Sequence, residues 1–316
     1  MYHFKCLKLA IHAETQDMIF LPPFKGAIFR SAFGNAFRKT VCVARSKTCP
    51  TCFLNTQCIY SYAFESPIQE QSTICKNYSH APHPFILNPP LEQKTCYEPG
   101  DCVDFELTLV GGIIDSLPYF IYTIIRMGEL GLGKTRGKFK IIDVKAVNAY
   151  DHHVETVYAN ETLMPIKTIL TFDHAQEKAQ RIASDQIGLN WLTPLRIQHD
   201  GRLCDDPGFE LIMKNCFRRI TSLLYFHCND NAPPYHDDAI KQAVFIQKIQ
   251  SNTQWQTWTR YSSRQQNTHN VGGLIGEMTF QGDLIDYIPY LELCSWINLG
   301  KGTAFGLGKF QLMTYE

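Results

Sequence analysis

Glu277–Phe310 reads EMTFQGDLIDYIPYLELCSWINLGKGTAFGLGKF: a strand, a turn, an apolar helix, a glycine-rich loop and the start of another strand. The chain has already said this once. Moved back by 171 positions, Glu106–Phe139, ELTLVGGIIDSLPYFIYTIIRMGELGLGKTRGKF, falls under it without a gap. Glu106, Thr108, Gly111, Asp115, Pro118, Tyr119, Gly131, Gly137, Lys138 and Phe139 meet the same residue types at Glu277, Thr279, Gly282, Asp286, Pro289, Tyr290, Gly302, Gly308, Lys309 and Phe310. Two copies of one supersecondary unit imply two similar domains, each ending in a glycine-lysine loop.

The order around each copy agrees. Tyr2–Glu14 alternates as a strand, and Phe24–Thr40 is a helix with Phe29, Phe33 and Phe37 on one stripe and Ser31, Asn35, Arg38 and Lys39 on another. Pro84–Leu87, Cys102–Val110, Ser116–Gly128 and Lys138–Val147 add strand, strand, helix and strand. Asn148–Met164 reads as a linker, Pro165–Phe172 as the opening strand of the second domain, and the segment to Gly201 as a polar insertion. Asp206-Pro207 opens a helix with Phe209, Ile212, Cys216, Ile220, Leu223 and Leu224 on its core face. Strands at Gln254–Ser262 and Gly273–Phe280, a helix at Asp286–Asn298 and a strand at Gly308–Met313 complete the pattern. Strand, helix, strand, strand, helix, strand, twice, predicts an α+β chain of two tandem ferredoxin-like domains, residues 1–148 and 165–316.

Composition limits the function classes. The 316 residues, 45% of them hydrophobic, suffice for two cores. No run reaches the ~20 apolar residues of a membrane span, and no signal peptide precedes the first strand. Twelve cysteines without an export signal point to the cytoplasm. Net charge is zero, yet Met18–Phe64 and Ala239–Gly276 contain no acid. The first holds Lys25, Arg30, Arg38, Lys39, Arg45 and Lys47, the second Lys241, Lys248, Arg260 and Arg264, so a local polyanion site is expected, against solvated basic faces as the bland reading.

Gly128–Thr135, GELGLGKT, has the spacing of a nucleotide-binding P-loop but follows a helix and opens a strand, the inverse of the arrangement that loop needs. A nucleotide hydrolase is therefore rejected. What stands is a glycine turn that brings amides and cations up to a phosphate backbone: Lys134, Arg136 and Lys138 in the first copy, Lys301, Thr303, Phe305 and Lys309 in the second. Arg260 and Arg264 alternate with aromatic and hydroxyl residues, as single-stranded RNA binding uses. Cys42, Cys49, Cys52 and Cys58, spaced C-x6-C-x2-C-x5-C, can close a structural zinc site in this cysteine-rich insertion, with an iron–sulfur cluster as the alternative.

Several of these phrases resemble one family. Gly300–Lys309, GKGTAFGLGK, is similar to the signature loop of the CRISPR repeat-processing endoribonucleases of the RAMP superfamily. So are Arg260–Gln265 followed by Gly272-Gly273 and Gly276, the entry phrase Lys25–Arg38, and the cysteine turn ending Cys58-Ile59-Tyr60. The resemblance implies RRM-like ferredoxin domains that bind CRISPR repeat RNA and process precursor crRNA in antiviral defense. It implies a nuclease without catalytic metal: the 2′-hydroxyl attacks its own phosphodiester, leaving a cyclic phosphate and a 5′-hydroxyl. Relatives often carry histidine where this chain has Asn35 and Asn298, and asparagine is no general base. His83 is then the expected proton acceptor, with Lys39 and Arg38 on the phosphate and Arg30 and Asn35 on the RNA. The alternative is a non-catalytic RAMP subunit that holds crRNA among other CRISPR effector subunits.

Overall fold

The computed structural model describes residues 3–45, 48–66, 68, 81–148, 150, 153–182, 184–229, 236–262 and 267–315, with the backbone alone at 259–262 and 267–270. The first half is built from β1 (Lys5–Thr15), α1 (Gly26–Val41), β2 (Phe85–Asn88), β3 (Phe105–Val110), α2 (Leu117–Leu130) and β4 (Phe139–Val147). Its sheet runs β2-β3-β1-β4, all neighbours antiparallel, which is the ferredoxin-like order. Leu7, Leu9, Ile11 and Ala13 alternate inward on β1 and meet the helices, so Lys8, Ala10 and His12 lie on the opposite face. Phe29, Phe33 and Phe37 are fully buried, as their spacing on α1 predicts.

The second half repeats the design. After α3 (Phe172–Ala179) come β6 (Gln186–Leu195), α4 (Phe209–His227), α5 (Asp237–Ala243), β7 (Gln247–Ser262), β8 (Asn267–Gln281), α6 (Ile288–Ile297) and β9 (Phe310–Thr314), with β5 (Val154–Ala159) preceding them. The sheet order is β7-β8-β6-β9, the same permutation. The 171-residue offset holds in space: Pro118 and Pro289 sit in the first turns of α2 and α6, and Phe139 and Phe310 open β4 and β9. Proline suits a first turn because its missing N–H has no partner there anyway.

Three segments differ from the sequence reading. Asn148–Met164 is no plain linker, because β5 extends the first sheet beyond β4. Pro165–Phe172 is not the entry strand: only Leu170–Thr171 is extended, paired with Lys5 and Cys6, and Thr171 caps α3 in a capping box with His174. The entry strand is β6, inside the stretch read as an insertion. Ile187, Leu189, Trp191, Thr193 and Leu195 are buried there, but so are Gly188 and Pro194, and the register shifts between Trp191 and Leu195, so no clean alternation marks the strand. The cap of α4 is Gly208, not Asp206. Among the described residues, no helix is long and apolar enough to cross a membrane.

The halves are not independent beads. Phe4, just before β1, and Cys6, Ile86 and Val110 of the first sheet belong to the same hydrophobic cluster as α4 and α6. Burial across this seam fixes the glycine loop against α1, and so fixes the site.

Candidate nucleic-acid interface

The second glycine loop, 300–309, is built by necessity from glycine. Gly300, Gly302, Gly306 and Gly308 all have positive φ, between 70° and 86°. At Gly306 a Cβ would also strike Pro89 and the Leu87 carbonyl of the first half. From the other side, Gly26 at the start of α1 lies flush against the Phe305 carbonyl oxygen. The loop thus docks between α1 and β2. The first loop does otherwise: Gly133 and Gly137 pack on Phe20 and Met18 of their own half.

A polar chain crosses the same seam. Asn298, fully buried at φ 56°, donates from Nδ2 to Asn88 Oδ1 at 2.8 Å and to the Leu307 carbonyl at 3.1 Å. Asn88 reaches Glu106 at 3.3 Å, and Glu106 is paired with Lys309 at 2.8 Å and Lys8 at 3.7 Å. Burial alone would raise the Glu106 carboxyl, but Lys8 and Lys309 outweigh it and hold it below the usual range. Further along, His227 Nε2 lies 2.6 Å from the Pro82 carbonyl, which only an N–H can satisfy. Nδ1 is therefore the acceptor for the Tyr62 hydroxyl at 2.8 Å, and the network requires a neutral ring. Burial lowers the His227 pKa to about 4 and raises Tyr62 to about 12.

The catalytic expectations divide. Arg38 and Lys39 come together with Asn35, Arg45 and Arg126 around a surface groove of about 370 Å3, with Glu129 paired to Arg126 beside it. His83 is not among the residues lining that groove. It is half-buried at the seam, stacked on Phe85 at 5.7 Å with Nδ1 3.3 Å from Ser66 Oγ. Burial, and then the Arg30 charge, pull its pKa down to about 3. Such a ring is neutral but a poor proton acceptor.

The residues expected to touch RNA also divide. Lys134, Arg136, Lys138 and Lys301 are exposed, and Asn35 stands in the groove. Lys309 is instead engaged by Glu106, and Thr303 is buried within the loop. Arg30 lies over the rings of Phe64, Phe85 and Phe305, at 4.1, 5.0 and 5.8 Å, as part of the seam. Lys25, counted with the basic tract, is fully buried and donates to the carbonyls of Glu92 and Pro23. Arg264 lies outside the described residues, as does the side chain of Arg260. Sequence reasoning had Arg45 in the first basic tract but missed Arg126 as a partner of Asn35, since only packing of α1 on α2 brings it there.

Cys42 ends α1, and Cys49–Thr51 forms a short helical turn closed by the Cys52 N–H. Burial, Glu65, Cys58 and Cys42 raise the Cys49 thiol against the pull of Arg38, so three of the four sulfurs share one neighbourhood. Among the described residues, no three His, Cys, Asp or Glu groups are placed as a metal needs. A second groove, of about 670 Å3, opens on the far face of the first sheet. There His12 Nδ1 meets Asp104 at 2.7 Å, beside Asp143, Lys145 and Lys309. The sheet separates this groove from α1, so His12 and Arg38 cannot serve one substrate atom.

Comparison with known proteins places this geometry. Residues 4–169, more than half of the chain, match the family model of the AF_1859_N N-terminal domain. Residues 189–310 match that of the CRISPR-associated endoribonuclease Cas6. A relative from Archaeoglobus fulgidus, described as an uncharacterized protein, is 22% identical over 299 residues, 92% of each chain. Among solved structures, the product complex of Cas6 (TTHB231) superposes with a TM-score of 0.60 at 12% identity, over 98% of this chain and 100% of that one. Thermus thermophilus Cas6 (TTHB231) gives 0.54 at 12% identity, over 98% and 99%. A partial Cas6-RT-Cas1–Cas2 complex gives 0.59 at 16% identity, over 99% of this chain and 46% of that one. These structures share the fold.

Proposed function

The chain belongs to the CRISPR-associated RAMP family, AF_1859_N-type in its first half and Cas6-like in its second, and from that premise we propose that it binds CRISPR repeat RNA and cuts precursor crRNA. The observation that carries the reading is the groove of Asn35, Arg38, Lys39, Arg45 and Arg126, four cations and an amide gathered where α2 and the segment after α1 meet α1, the helix that the glycine loop docks against. Cations at this density hold phosphates and orient a strand. In the reaction, the 2′-oxygen forms a bond to phosphorus as its proton leaves, the bond to O5′ breaks, and O5′ takes up a proton. Arg38 and Lys39 stabilise the charge that builds on the phosphoryl oxygens, in the place a metal ion takes in other nucleases. What the groove lacks in its lining is a titrating acceptor, and His83 lies outside that lining.

That lack favours a second reading, in which the chain holds crRNA for other CRISPR effector subunits and does not cut. One experiment separates them. The protein is incubated with the repeat RNA of its own locus, with and without EDTA, and the ends are mapped. Cleavage in EDTA with cyclic phosphate and 5′-hydroxyl ends supports the endoribonuclease. Tight binding with intact RNA supports the second reading, and no binding removes both.

A further inference from the structure

We infer that Arg196, Arg218 and Lys301 form a phosphate-binding site beside the second glycine loop, separate from the Arg38–Lys39 groove. Its identification with an RNA backbone phosphate rests on the proposed function; the anion site itself does not. The loop is pinned to the end of β6 by its own backbone. The Lys301 N–H donates to the Arg196 carbonyl at 2.8 Å, and Gly300, at φ 86°, leaves no room for a Cβ against that carbonyl. This contact sets Lys301 beside Arg196. From α4, Arg218 is held by Nη2 donating to Asn215 Oδ1 at 2.6 Å.

The three charges stand together without a counter-ion. Burial lowers the Lys301 pKa, and Arg196 and then Arg218 lower it further, so the lysine feels both guanidinium groups. Arg196 is lowered by burial, and its Nε is buried without a hydrogen-bond partner. Among the described residues, no carboxylate is in ion-pair contact with any of the three. Arg219 adds a fourth charge behind them. It is half-buried and donates Nε to the Asn298 carbonyl and Nη2 to the Ile297 carbonyl, capping α6, so it positions the loop rather than facing a ligand. Like charges gathered at a half-exposed surface repel one another, and a bound anion relieves that repulsion. Two guanidinium forks and an ammonium group suit the tetrahedral oxygens of a phosphate, and an orphaned buried N–H is the donor such an oxygen would satisfy.

The test uses the full chain and two probes. Repeat RNA carrying 2′-deoxyribose at the cut nucleotide is titrated at several salt concentrations. Inorganic tripolyphosphate is assayed by its effect on Tm at matched ionic strength. Arg218→Gln and Arg196→Gln/Arg218→Gln are compared with wild type and with Lys214→Gln, an exposed charge change on the same helix. Each lost phosphate contact lowers the slope of log affinity against log salt by about 0.7 for a single strand. The same variants lose the Tm rise in tripolyphosphate, while Lys214→Gln keeps both. If wild type ignores the RNA but the variants lose the tripolyphosphate effect, the anion site stands and the RNA reading falls. Unchanged slopes and Tm shifts in both arginine variants overturn the site. So does Lys214→Gln reproducing their losses, which marks a diffuse field. Should the double variant not fold by circular dichroism, Arg218→Gln alone decides.

Discussion

Acidifying the protein from pH 7 to pH 5 should weaken it through one histidine that joins its two halves. His227 is 4% exposed and held neutral, its Nε2–H on the Pro82 carbonyl and its Nδ1 accepting from Tyr62. Its folded pKa of about 4 lies below the ~6.5 of an unfolded histidine. The unfolded chain therefore binds the extra proton first, so stability is intact above about pH 6.5 and falls as pH drops toward 4. The full loss is about 3.4 kcal/mol below pH 4, and about 2 kcal/mol is already gone at pH 5. For a chain with a typical stability of ~5–15 kcal/mol, that shift is readily measured. Urea unfolding at pH 7, 6 and 5 is compared for wild type and His227→Gln, whose amide can still donate to Pro82. His83 titrates in the same direction and remains in both, held down mainly by burial and Arg30 and least by His227, so the difference between the curves belongs chiefly to His227. If the two proteins lose the same free energy between pH 7 and pH 5, the neutral-bridge argument is wrong.

Other outcomes test the site and the core. Arg38→Gln/Lys39→Gln should reduce the salt slope of RNA binding by about 0.7 per lost contact and slow any cleavage, measured on the same RNA; unchanged binding would move the interface elsewhere. If the chain cuts, and with no histidine in the groove lining, cleavage should accelerate about tenfold per pH unit through neutrality with no plateau; a plateau near pH 7 would reveal a histidine base. Phe33→Ala, which opens a hole among Phe37, Phe64, Phe85 and Phe120, should cost about 3–5 kcal/mol in urea unfolding, and a cost under 1 would contradict the packing. The cysteine turn is proposed to hold zinc as a brace, so metal analysis of protein purified without chelator should find about one zinc per chain, and changing Cys42, Cys49, Cys52 and Cys58 to serine should remove it.

Helices were legible where a periodic apolar stripe met a clear start and stop. Phe29, Phe33 and Phe37 announce α1, and Pro118 and Pro289 announce α2 and α6. β6 was not legible in advance, because Gly188 and Pro194 interrupt its alternation and read locally as breakers. The sheet overrides them: Gly188 faces Tyr315, and Pro194 needs only its carbonyl, which accepts from Gly308. β5 escaped notice because a strand added at a sheet edge draws its stability from the partner's hydrogen bonds rather than from its own pattern.

By itself the sequence determined the doubled design. The repeat at 171 residues specifies local geometry, since a positive-φ glycine, a first-turn proline and an inward aromatic act within a few residues of themselves. Only the tertiary structure decided what each copy does. Two glycine loops of similar sequence end in different places, one folded back on Met18 and Phe20, the other inserted between α1 and β2. Lys309 looks like a phosphate ligand until Glu106 appears beside it, and Arg196 and Arg218 look like ordinary arginines until Lys301 does. Whether a charge is free for a ligand depends on which distant groups surround it, and that is fixed by packing across the seam.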